Sequence, residues 1–168
     1  DSSYTLKEII VVSDKSTDRT VEKARELRDK RIKIIENRKR LGQAKSQNKI
    51  LKSLTGDILV LLNGDVLPAN RNLIKNIIKP FSDSKIGIVG GKVKPLPAQN
   101  FIEEALNYSV LTKQAIYEKI NNGDNVYLCH GRVRAFSREF AKKFSWGEIV
   151  AEDAFSYLYC VSRKFKFI

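Results

Sequence analysis

Short apolar runs recur along the chain: EIIVV at residues 8–12, IKII at 32–35, ILVLL at 58–62 and IGIVGGKV at 86–93. Each is too short for a helix and too continuously apolar for a strand with one wet face. Between them, apolar residues return at helical spacing. Val21, Ala24 and Leu27 form one such set; Ala44, Ile50, Leu51 and Leu54 form a second, from about 43 to 54. Leu73, Ile74, Ile77, Ile78 and Phe81 form a third, which stops near Pro80. Strands buried on both faces and alternating with helices predict an α/β domain, a mainly parallel sheet with helices on both faces. The pattern continues with a long helix over about 100–119, a strand or broken strand pair at 126–136, and a short helix capped by Ser137 and running to Phe144. A helix over 152–162 and a last strand in KFKFI complete it. No repeat, low-complexity stretch or linker divides the chain, so residues 1–168 are expected to form a single domain.

The 168 residues, 42% hydrophobic and 30% charged, suffice for a sizeable core. No apolar run approaches the roughly 18 residues a membrane helix needs, and no secretory signal opens the chain. Cys129 and Cys160 lack metal-type spacing and read as buried thiols of a reducing compartment. The expected location is therefore the cytoplasm or the cytoplasmic face of a membrane, with any membrane contact made through regions outside this chain. The net charge of +12 favours an anionic partner, or marks a Lys-rich solvated surface. Basic residues are spread along the whole chain and do not interleave with aromatics, so a nucleic-acid-binding domain is the weakest of the available readings.

In open α/β sheets ligands bind beyond the carboxyl ends of the strands, and candidate sites fall there. VVSDKSTDRT puts Asp14 just past a strand, too early for a helix cap and suited to accept hydrogen bonds from a nucleobase or ribose. Thr17 and Asp18 read as capping residues. NRKRLGQAKSQN brings Arg38, Lys39, Arg40 and Lys45 around Gly42 at a helix start, which suits a phosphate or is a solvated basic loop. NGD, residues 63–65, offers an amide and a carboxylate at a strand end. Such oxygen ligands suit magnesium or manganese with a diphosphate completing the shell, or else form an Asx turn before Pro68. Glu152 and Asp153 open a helix, where the helix dipole alone favours acids. His130, the only histidine, precedes Gly131-Arg132 and reads as structural; Trp146 is core or the floor of a sugar site.

Taken in order, these segments resemble family 2 glycosyltransferases of the GT-A fold. EIIVVSDKSTDRT is similar to that family's EIIVVDDGSTDGT, and ENRKRLGQAKSQNKIL to its N..N.G.A.A.N.G segment, with Gly42, Ala44 and Asn48 in place. GDILVLLNGDVLP resembles the segment that carries the metal-binding DXD motif. CHGRVRAFSREF resembles G...A.RRE, and EIVAEDAFSYLYCVSRKFKF resembles E....ED.....R....G.K.. The resemblance implies transfer of a sugar from a nucleoside diphosphate sugar to an acceptor hydroxyl or phosphate, inverting and dependent on a divalent cation, Mn or Mg. It implies Asp65 as the metal ligand and Asp153, paired with Glu152, as catalytic base. It implies a nucleotide-sugar site of Ser13, Asp14, Arg40, Gly42, Lys45, Asn63, Gly64 and Gly131. The acceptor, whether lipid phosphate, glycan or protein, stays open. Four departures stand out: Asn63 replaces the first DXD carboxylate, Ser13 replaces an aspartate, Lys15 replaces a glycine, and no Q..RW motif follows the acid pair. The family's first strand is also absent before residue 1, so the domain is expected to be incomplete at its N-terminus and at its C-terminus. A non-catalytic nucleotide-sugar-binding homologue is the alternative reading.

Overall fold

The computed structural model describes residues 4–168. Backbone contacts gather these residues into two compact units. One is built from the chain up to Gly56 with Ser145–Gly147, the other from Asp57–Phe144 with Glu148–Ile168.

In the first unit, strand β1 (Ile9–Ser13) pairs in parallel with β2 (Ile32–Glu36), in register from Ile9 opposite Ile32 to Ser13 opposite Glu36. Helix α1 (Thr20–Glu26) is the crossover between them, as parallel pairing requires. Helix α2 (Gln43–Lys52) follows β2. Asn48 faces Trp146, and the two are locked by a reciprocal pair of bonds: Asn48 Nδ2 donates to the Trp146 carbonyl (2.7 Å) and Trp146 N–H to Asn48 Oδ1 (2.9 Å). Trp146 is buried, so its ring belongs to the core of this unit.

The second unit holds a four-stranded sheet in the order β3 (Ile58–Leu62), β5 (Val133–Ser137), β4 (Ile86–Gly90), β6 (Lys166–Phe167). β4 and β6 run parallel, but β5 is antiparallel to both β3 and β4, so the sheet is mixed. Helices α3 (Leu73–Ile78), α4 (Phe101–Tyr117), α5 (Arg138–Lys143) and α6 (Glu152–Ser162) complete the unit. Ser137 caps α5 as expected, accepting from Phe140 N–H at 3.3 Å, and Pro80 lies in the tight turn that ends α3.

Alternation along β5 sends its side chains two ways. Val133 and Ala135 join Ile77, Ile86 and Val89 in one apolar cluster. Phe136 instead packs edge-on against Phe140 (5.1 Å) and Phe144 (5.7 Å), with Tyr159 of α6 completing an aromatic group. Burying rings of this size stabilises by roughly 1.5–3 kcal/mol each, and Phe136 and Phe140 are fully buried. Cys129 and Cys160 are buried and unbridged, as expected, and burial pushes both thiols up to about 12. Among the described residues no helix is long and apolar enough to cross a membrane.

Two boundaries differ from the sequence reading. The strand expected over 126–136 begins only at Val133, because buried Asn125 pins the preceding segment as a turn. Its Nδ2 donates to the carbonyls of Tyr117 and Ile120 (both 2.9 Å), and its Oδ1 accepts from Tyr127 N–H (3.1 Å). Asp18 does not cap α1 in the expected way: Arg19 holds the cap position without a side-chain bond, and Asp18 accepts from Thr20 N–H (3.0 Å) in a local turn.

Candidate functional site

In the first unit, the end of β1 and the basic loop after β2 are one structure. Ser13 is buried and its Oγ accepts from Ser16 N–H at 3.2 Å. Asp14 takes three donors: Leu41 N–H (2.8 Å) and Asn37 Nδ2 (2.9 Å) on Oδ1, and Gly42 N–H (2.8 Å) on Oδ2. The Leu41 amide above all, then Asn37 and Gly42, hold this carboxyl below the usual carboxylate range. Buried Asn37 is fixed in turn by Ser46 Oγ, to which it donates (2.9 Å), and by Lys49 Nζ, from which it accepts (3.1 Å). Gly42 caps α2 with φ +81°, a conformation that suits glycine. Arg38, Lys39, Arg40 and Lys45 are thereby displayed at an exposed helix start. The structure thus brings Ser13, Asp14, Arg40, Gly42 and Lys45 together, and gives Asp14 a tethering role that sequence reasoning missed. Lys15, in the place of the family's glycine, adopts φ 60°.

In the second unit, β3 delivers its carboxyl end into a turn. Asn63 N–H donates to the Arg132 carbonyl (3.0 Å), and Val66 N–H to the Asn63 carbonyl (3.2 Å). Gly64 and Asp65 sit exposed at the tip, and Gly131 lies beside the Arg132 that anchors the turn. No described residue pairs with the Asp65 carboxylate by hydrogen bond or ion pair, which is the opposite of Asp14. Among the described residues no three His, Cys, Asp or Glu side chains converge as a protein-built metal site. That donor set fits an ion of the magnesium type, which keeps one or two protein carboxylates and takes its other ligands from water and substrate phosphates.

Glu152 and Asp153 begin α6 as expected and are both half-buried. Asp153 Oδ1 accepts from Ala154 N–H (2.8 Å), and its carbonyl accepts from the Cys129 thiol (3.5 Å). The sequence reading passed over Arg134. It is fully buried on β5, and its guanidinium interacts electrostatically with both acids. The signal was there: a charge among apolar residues in VRAF, at a position that alternation turns inward. Burial above all, then the charge of Arg132, keeps the His130 imidazole below its usual range.

His130 and Arg132 also line a cavity of about 390 Å³. Its walls are largely apolar, with Val93, Val110, Leu128 and Phe167, and the Tyr117 and Tyr127 rings stack at 4.7 Å. Lys113 and Lys92 reach it as well, Lys92 paired with Glu118 at 2.6 Å.

An α/β fold that sets an exposed carboxylate beyond one strand and an acid pair at a helix start is that of the GT-A glycosyltransferases, and solved structures share it. A mannosyltransferase from Pyrobaculum calidifontis, PcManGT, in complex with GDP-Man and Mn2+, matches with a TM-score of 0.69 at 24% identity, covering 96% of this chain and 44% of that one. S. aureus TarS (1–349) matches with a TM-score of 0.60 at 17% identity, covering 96% and 48%. M. tuberculosis glucosyl-3-phosphoglycerate synthase matches with 0.53 at 18%, covering 80% and 47%. The model of the family described as Glycosyl transferase family 2 matches residues 1–145, and the chain belongs to that family. A dolichol-phosphate mannosyltransferase of Pyrococcus furiosus is 38% identical over 96 residues, an alignment spanning 54% of this chain and 27% of that protein.

Proposed function

We propose that this chain is the catalytic part of an inverting, metal-dependent glycosyltransferase that moves a sugar from a nucleoside diphosphate sugar to an acceptor. The observation that carries the reading is that one unit holds both an exposed carboxylate at Asp65 with no partner among the described residues, in a turn bonded to Arg132, and the acid pair Glu152–Asp153, whose charges act on Arg134. The donor is a guanosine diphosphate sugar, mannose by preference, supported by the GDP-Man held in the related fold and by the mannosyltransferase relative.

Asp65, with the amide of Asn63 beside it, would hold a divalent cation. That cation, when bound, supplies positive charge against the diphosphate. The chain's own residues do the rest. In the first unit, Ser13 and Asp14 suit a base and ribose, and Arg40 and Lys45 at the start of α2 suit phosphate oxygens. The backbone at Gly64 and Gly131 carries no side chain and lets the sugar approach. From a hydroxyl or a singly ionised phosphate acceptor, Asp153 accepts the proton at Oδ2 as the acceptor oxygen attacks and the diphosphate leaves, while Oδ1 is fixed by the Ala154 amide. A single displacement inverts the anomeric carbon. The cavity beside His130 and Arg132 takes the acceptor. Its apolar walls and the cations Arg132 and Lys113 suit a lipid phosphate, which the relative's name also favours.

The test is a transfer assay of the full-length protein with GDP-mannose and manganese, against a short-chain polyprenyl phosphate. The expected result is product with an inverted anomeric centre, dependent on both metal and acceptor. Donor binding with no turnover toward any acceptor would instead establish the non-catalytic homologue.

A further inference from the structure

A guanidinium inside a protein is expensive to desolvate unless negative charge and acceptors surround it. Arg134 is such a group, fully buried on the central strand β5. Strand register places it between Leu61 of β3 and Gly90 of β4, so one flanking position carries no side chain. On the same face its Cζ lies 5.6 Å from the centre of the Phe136 ring, which fixes the stem's direction. Above it sits the first turn of α6. Arg134 Nη1 donates to Ser156 Oγ (3.4 Å), and Ser156 Oγ donates onward to the Glu152 carbonyl (2.5 Å). Ser156 is itself fully buried, so this chain of bonds has no water to compete with it. Cys129 borders the same pocket and donates to the Asp153 carbonyl. The two acids that begin α6 are the carboxylates whose charge reaches Arg134.

From this arrangement we infer that Arg134 is a positioning residue for the transfer reaction. Acting through Ser156 and by charge, it fixes the first turn of α6 and so the orientation of Asp153 toward the acceptor. The inference rests on the reading of Asp153 as the base. Arg134 touches neither donor nor acceptor; its effect runs through a carboxylate whose placement sets the attack geometry. A displacement of the order of 1 Å in such a group can lower turnover about 10²-fold.

A double-mutant cycle in the full-length protein tests this, with kcat, donor KM and melting temperature measured for each variant. Arg134→Met is expected to lower kcat by roughly 10–100-fold with donor KM unchanged. Arg134→Lys, which keeps the charge, should recover much of the loss, and Ser156→Ala, a small change that spares folding, should lower kcat severalfold. In an Asp153→Asn background, Arg134→Met should cause no further loss, because the residue it serves is already disabled. A purely structural arginine would lower melting temperature and leave kcat of the folded protein alone. An equal loss in both backgrounds, or unchanged kcat in folded Arg134→Met or Ser156→Ala, would overturn the assignment while leaving Asp153 in place. Near-normal turnover in Asp153→Asn alone would remove the base reading itself. If Arg134→Met does not fold, Ser156→Ala completes the same cycle with the same criteria.

Discussion

Asp14 and Asp65 are both aspartates just beyond an apolar strand, yet the chain treats them in opposite ways. Asp14 is saturated from within: two backbone amides and an asparagine donate to it, and it closes the basic loop against β1. Asp65 is exposed and takes no partner from the described residues. The difference lies in the donors available at the end of each strand. After β1 the neighbouring loop carries Asn37 and a glycine turn whose amides converge on one point. After β3, Asn63 and Val66 close a tight turn by themselves, and the carboxylate at its tip is left to the outside. A carboxylate serves as tether or ligand according to which donors the fold delivers to it.

The largest expected effect breaks the comparison from a third carboxylate. Asp153→Asn should reduce turnover on the order of 10²–10⁴-fold, with donor affinity and melting temperature little changed. As a mere dipole partner at a helix start it would shift stability by only about 0.3–1 kcal/mol and leave chemistry alone. Side-by-side measurement of donor affinity and turnover separates the two.

The tether makes a prediction in pH. The folded-state pKa of Asp14 is lowered, so its contribution to loop closure is present above the unfolded value near about 4 and is lost as pH falls through the folded one. Hydrogen exchange should show the Leu41 and Gly42 amides protected at neutral pH and released in acid ahead of the β1–β2 ladder. In Asp14→Asn they should be exposed at every pH. Protection that survives in Asp14→Asn would show that the loop closes without the carboxylate.

The smallest effect concerns Lys15. At φ 60° a side chain costs about 1–2 kcal/mol relative to glycine, the residue the family carries here. Lys15→Gly should therefore raise the melting temperature slightly, unless the freedom it returns to the unfolded chain offsets the gain. Thermal unfolding decides it: a fall would mean that the lysine stem makes a stabilising contact. Lys164 (φ 61°) falls, counted from the acid pair, on the glycine of the family's last segment and offers a parallel test.

The regular elements were legible because their apolar periodicity is set by burial, and burial is what the residues record. α6 runs from Glu152 to Ser162, the span expected, and β3 from Ile58 to Leu62 likewise. Strand direction was not legible, since a run such as VRAF reads the same whichever way it pairs; β5 proved antiparallel to both neighbours. The candidate residues were found from motif order. Their partners were not, because the bond that Leu41 N–H donates to Asp14 joins residues 27 apart in sequence and no local pattern announces it. Arg134 was overlooked for a related reason: a single charge in a strand reads as an edge or an error until a helix is seen to cover it.

The contrast between the two aspartates is tested most directly by calorimetric titration of GDP with and without manganese. For the intact protein, manganese should tighten GDP binding. Asp65→Ala should abolish that gain while leaving the metal-free affinity in place. Asp14→Asn should weaken binding with and without metal alike and so preserve the gain, and Asn63→Asp should keep or enlarge it, since a second carboxylate strengthens the site. A manganese gain that persists in Asp65→Ala, or disappears in Asp14→Asn, would contradict the assignment of ligand to one and tether to the other.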